Sequence, residues 1–162
     1  MRTENTSAYP GFTLGMAAVD TIPVVLFAAG SLAAWLWLRS PLFGAGALLC
    51  TIAGACKAAW KFVLALRRHD LPLLQKLFRL LMPAGFVLMG ASIPFAPAAW
   101  ARLARALLVM PSLLCWLLGC AGIALMVVFA VCANRHSARA NWIEQLTNIA
   151  AQGFFLLALL LA

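Results

Sequence analysis

Long apolar runs separated by short clusters of charge and proline dominate this chain. The first extends over about 14–38 and is closed by Arg39, Ser40 and Pro41; the second covers about 43–66 and stops at Arg67, Arg68, His69 and Asp70. A third, about 78–95, gives way to Ala96, Pro97 and Ala98, and a fourth, about 107–131, ends before Asn134, Arg135 and His136. The fifth, about 141–161, has a polar first half. A helix needs about 20 mostly apolar residues to cross the hydrocarbon layer, and each run is of this order. No stretch alternates with the period of two that a membrane strand requires. The pattern predicts an all-α polytopic membrane protein, a single domain over 1–162 built as a bundle of five transmembrane helices.

Composition strengthens that reading. Hydrophobic residues make up 65% of the chain and charged residues 10%, with a mean hydropathy of +1.00. Soluble domains are about half apolar and about a quarter charged, and a globule of about 150 residues still exposes roughly 30% of its unfolded surface. Lipid is the solvent that accommodates such a surface. Disordered, collagenous, coiled-coil and disulfide-stapled classes are excluded by the same figures. The first run exceeds the 7–15 residues of a signal-peptide core and is interrupted by Asp20 and Pro23, so it reads as a permanent helix preceded by a short solvated tail, 2–9.

Charge then orients the bundle. Five crossings place Arg2, Arg67, Arg68, Lys76, Arg79, Arg135 and Arg139 on one side and Arg39, Arg102 and Arg105 on the other. The excess of basic residues in short connections marks the cytoplasmic side, which predicts a cytoplasmic N-terminus in the plasma (inner) membrane. The formal charge of +8 follows from topology and from attraction to anionic lipid head groups. No nucleic-acid-binding module accompanies it.

The candidate chemistry lies in the polar residues within the runs. An ionisable side chain in a membrane helix costs about 2.5–3.5 kcal/mol on insertion scales, so it turns toward the bundle interior or a wet cavity. Counted from a hairpin at Ser40, Asp20 lies 20 residues back, Lys57 17 forward and Lys61 21 forward. At about 1.5 Å per residue, Asp20 and Lys61 share one depth and Lys57 lies a turn deeper. In the fifth run, Asn141, Glu144 or Gln145, Asn148 and Gln152 recur at helical spacing along one face. Glu144 is expected level with Asp20 and Lys61, with Asn148 and Gln152 running inward toward Lys57. Asp20, Lys57, Trp60, Lys61, Glu144, Gln145, Asn148 and Gln152 form the candidate ligand-binding set. Against this stand a plain N-terminal role for the Asp20 carboxylate, snorkelling by Lys61 and amide pairs that only glue helices together. Pro23, Pro83 with Gly85, and Pro111, the last two prolines placed early in the third and fourth helices, mark expected bends.

Other chemistries find little support. Cys50, Cys56, Cys115, Cys120 and Cys132 lack the Cys-x-x-Cys spacing of a thiol oxidoreductase and read as small packing residues. His69 and His136 are not spaced to share an ion, so no metal or cofactor is expected. Hydrolytic and phosphate-binding motifs are missing. The function expected is binding and passage of a small polar or anionic solute or ion through a cytoplasm-facing cavity between the first, second and fifth helices. The alternatives are a non-catalytic subunit, with a homo-oligomer or partner membrane subunit covering the polar stripe, and a membrane enzyme acting on a lipid or isoprenoid with Asp20 or Glu144 as base. Catalysis ranks last, since no nucleophile or metal set accompanies the acids.

Overall fold

A computed structural model describes residues 13–67, 71–132 and 138–162. Arg2 with the rest of the tail, Arg68, His69, Asp70, Asn134, Arg135 and His136 lie outside the described residues, as do the side chains of Arg67 and Cys132. The elements are α1 (Leu14–Val19), α2 (Thr21–Leu38), α3 (Pro41–Arg67), α4 (Pro72–Phe95), α5 (Pro97–Leu107), α6 (Ser112–Cys132) and α7 (Ala138–Leu160). All are helical, and no strand occurs among the described residues. Among the described residues five spans are long and apolar enough to cross a membrane: α1 with α2, then α3, α4, α6 and α7.

Several boundaries differ from the sequence expectation, among them the start of the fourth span, at Ser112 and not near 107. The first span breaks at Asp20, which separates α1 from α2 while keeping helical torsions (φ −67°, ψ −13°). Pro23 falls in the first turn of α2, where its missing N–H is least costly, so the proline starts a new helix instead of bending an old one. The third span begins at Pro72, six residues before the expected Phe78, with proline in the first turn. Its early residues Lys76 and Arg79 are exposed, as long cations on an apolar helix near an interface can be. Pro83 is consequently near the middle of α4, and Pro111 lies in the turn before α6, not within it.

The segment after Phe95 is a further difference. It forms α5, with Ala99, Leu103 and Leu107 buried at spacings of four and Arg102 and Arg105 exposed. That is the pattern of an amphipathic helix lying in an interface. It is tied to α4 by the Trp100 Nε1–H donating to Ser92 Oγ at 3.1 Å, while Ser92 Oγ–H donates to the Met89 carbonyl at 2.6 Å.

Helix pairing follows a row. α3 packs on α4 and on α2, α2 packs on α7, and α7 packs on α6, with α1 against α3. The row curves, and α5 crosses its concave side at one end, touching α2, α4 and α6. The apolar core gathers there, around Leu38, Phe43, Leu103, Leu107 and Leu159. Of the most apolar stretch of each helix, 11% is buried in α4 and α6 against 33% in α3. The two ends of the row therefore present most of their surface outward.

Candidate functional site

The polar residues of the spans assemble at the end of the bundle away from α5. Asp20 Oδ1 and Lys61 Nζ are 2.9 Å apart, and the residues are 7% and 4% exposed. Asp20 occupies the N-cap position of α2 but makes no side-chain cap bond; its carboxylate is committed to the lysine. Gln145, 2% exposed, completes the group: with its amide oxygen assigned toward the ammonium, it accepts from Lys61 Nζ at 3.0 Å and its amide N–H donates to the Met16 carbonyl at 3.3 Å. One lysine thus joins α3 to the α1–α2 break and to α7. Every side-chain nitrogen and oxygen shut off completely from the surface among the described residues has a partner, as a region without bulk water requires.

A second, more open pair lies beside it. Lys57 Nζ is 3.7 Å from Glu144 Oε1, with side chains 34% and 39% exposed, and the ammonium lies 5.4 Å from the centre of the Phe78 ring on α4. The sequence reading expected Glu144 level with Asp20 and Lys61 and left Glu144 and Gln145 as alternatives on the stripe. Gln145 is the one that bonds Lys61, and its neighbour Glu144 pairs with Lys57. Trp60 is buried next to Lys61 in α3.

Asn148 follows Glu144 by one turn of α7, but Gln152 does not join this group. Gln145 to Gln152 is seven residues, about 10 Å along a helix, and Gln152 faces a different feature. A half-enclosed cavity of about 430 Å³ lies in the concave side of the row beneath α5. Its walls are α2 (Phe27, Gly30, Ser31), α5 (Trp100, Leu103), α6 (Trp116) and α7 (Gln152, Phe155), with Phe43 and Met89 closing the side toward α3 and α4. Trp116 and Phe155 meet edge to face at 4.9 Å, and Phe43 and Trp100 at 5.8 Å, both favourable aromatic geometries. The lining carries no charged side chain.

Sequence reasoning missed this cavity because it is built from apolar residues that look like lipid-facing or core positions one at a time. Gln152 was the available signal: an amide more than two turns beyond the ion pairs, on an otherwise apolar stretch of α7. Cys50, Cys56, Cys115 and Cys120 are free thiols. Cys50 is buried between α3 and α4, its thiol donating to the Met82 carbonyl at 3.6 Å. Among the described residues no group of three or more His, Cys, Asp or Glu could hold a metal ion. No protein-family model, curated protein or solved structure matches this chain.

Proposed function

We propose that this multi-pass membrane protein binds an amphiphilic lipid in the cavity between α2, α5, α6 and α7. The cavity itself carries the reading: about 430 Å³ of space with an almost wholly apolar lining, within the roughly 300–1,000 Å³ of small-molecule sites. It lies between α4 and α6, the two ends of the row, so a membrane lipid can enter sideways. The buried Asp20–Lys61–Gln145 group acts in this account as the lock that holds α7 to α1 and α3. The same proposal places the N-terminus in the cytoplasm and the protein in the plasma membrane, on the basic excess of Lys76, Arg79 and their neighbours.

The test is photo-crosslinking with a diazirine-bearing fatty acyl phospholipid in nanodiscs, read by peptide mass spectrometry. Adducts are expected on Phe27 and Phe155, which face the cavity, and Ala104→Trp at its rim should suppress them while leaving adducts on the outward-facing Leu66 unchanged. Labelling confined to outward-facing residues would remove lipid binding from the cavity.

A second reading, passage of a small polar or anionic solute, is favoured by the half-exposed Lys57–Glu144 pair together with the polar Asn148 next to it on α7. Cysteine at Asn148, after replacement of the native cysteines, would then react with a small hydrophilic thiol reagent in the purified protein and be protected by the solute. An inert Asn148→Cys in well-folded protein would dispose of it.

A further inference from the structure

The cavity beneath α5 holds two polar side chains that its own walls leave unsatisfied. Ser31 is 9% exposed and lines the cavity from α2; Gln152 lines it from α7. Among the described residues, neither the Ser31 hydroxyl nor the Gln152 amide has a hydrogen-bond or ionic partner. Side-chain atoms shut off completely from the surface are paired throughout the described residues, whereas these two line the cavity and are left open to the space a ligand would fill.

Their positions constrain that ligand. A Cβ built on Gly30 lies 3.9 Å from the Leu156 Cα, which sets α2 and α7 in register at that level. Gln152 is one turn, about 6 Å, from Leu156 along α7, and Ser31 is one residue beyond Gly30 in the other direction. The two groups therefore address a molecule from opposite ends of its polar part. A phosphate is a poor fit because no cation lines the cavity: on α5, the lining positions Trp100, Leu103 and Ala104 lie opposite Arg102 and Arg105 in helical rotation. The rings of Phe27, Trp116 and Phe155 offer faces and edges to a flat ring.

We propose that the cavity selects a neutral quinone-class amphiphile, a flat ring with oxygens on opposite edges and an apolar tail, bound through Gln152 and Ser31. The inference rests on the lipid-binding reading above and narrows its ligand. The ring packs among the aromatic side chains. The Gln152 amide N–H donates to one ring oxygen and the Ser31 hydroxyl donates to the other, while the tail leaves between α4 and α6. Both side chains can also accept, so the reduced, hydroxyl-bearing ring fits the same contacts.

Tryptophan fluorescence tests this directly, because Trp100 and Trp116 line the cavity and quinones quench tryptophan on close approach. Purified protein in detergent is titrated with a benzoquinone bearing a ten-carbon tail, in parallel with a naphthoquinone of the same tail; decanol and a saturated phosphatidylcholine serve as ring-free competitors. Saturable quenching by one or both quinones is expected, reduced in Trp116→Phe. Loss of one hydrogen bond should weaken affinity by about tenfold in Gln152→Leu, and less in Ser31→Ala, with unchanged gel-filtration profiles. The preferred quinone distinguishes a one-ring from a two-ring head. Saturable quenching indifferent to both substitutions overturns the assigned contacts. Displacement by phosphatidylcholine or decanol as readily as by quinone overturns ring selection but leaves lipid binding standing. Absence of any saturable binding, together with absence of acyl crosslinks at Phe27 and Phe155, overturns both.

Discussion

Lys61 is the residue on which the half of the bundle away from α5 turns. Its ammonium is 4% exposed and is answered by a carboxylate at 2.9 Å and an amide oxygen at 3.0 Å. Deleting one member of a buried pair leaves a charge without compensation, which costs about 3–5 kcal/mol, whereas deleting both is often close to neutral. Asp20→Asn and Lys61→Met should each destabilise strongly, and the double variant should recover much of the loss. The cycle is measured by unfolding in a denaturing detergent; additive losses would mean that the charges do not depend on each other. Glu144→Gln should cost much less, because the Lys57–Glu144 pair is over a third exposed at 3.7 Å and such pairs contribute about 0–1 kcal/mol. Depth counting from Ser40 was enough to find Asp20 opposite Lys61 in the sequence. It could not choose between Glu144 and Gln145, since adjacent residues differ by about 100° around a helix and both fit a spacing of three or four. Nor could spacing alone show that Gln152, on the same stripe, belongs to a separate apolar cavity.

At the scale of helices, α3 and α4 are pressed together where glycine removes the side chain from both. A methyl on Gly46 would lie 2.6 Å from the Gly85 carbonyl oxygen and 2.8 Å from the Met89 nitrogen. These are backbone atoms that cannot swing aside, so Gly46→Ala should force the helices apart at a cost of about 1–3 kcal/mol. Gly90 is on the same helix as Gly85, but a Cβ there meets nothing within 4 Å. Gly90→Ala should therefore be neutral or raise stability by up to about 1 kcal/mol through helix propensity. Thermal unfolding of the two variants in one detergent compares them, and equal losses would discard the close-contact account. The five spans were legible because runs of this length have few other uses. α5 was not, although Ala99, Leu103 and Leu107 already show the period: its 11 residues fall below the length needed to cross, and Arg102 and Arg105 made it resemble a connection.

For the molecule as a whole, the direction in which it threads the membrane decides which leaflet supplies the cavity. The cavity lies under α5, and α5 joins the ends of α4 and α6 remote from Lys76 and Arg139. Basic residues in short connections are retained in the cytoplasm, and in the sequence the tail, the connections after α3 and before α7 and the helix turns beside them carry seven, Arg2, Arg67, Arg68, Lys76, Arg79, Arg135 and Arg139, against Arg39, Arg102 and Arg105 around α5. The proposed orientation would put α5 in the outer interface, where its apolar face meets the core and its arginines meet water and head groups, and would open the cavity to the outer leaflet. Cysteines at exposed positions that leave the charge count intact test it, with the native thiols replaced. Ala101→Cys, on the polar side of α5, should be labelled by a membrane-impermeant maleimide in intact cells, and Leu73→Cys, in the first turn of α4, only after the membrane is permeabilised. The reverse pattern would turn the bundle over, placing the Lys57–Glu144 pair toward the outside and requiring any lipid that enters beneath α5 to come from the cytoplasmic leaflet.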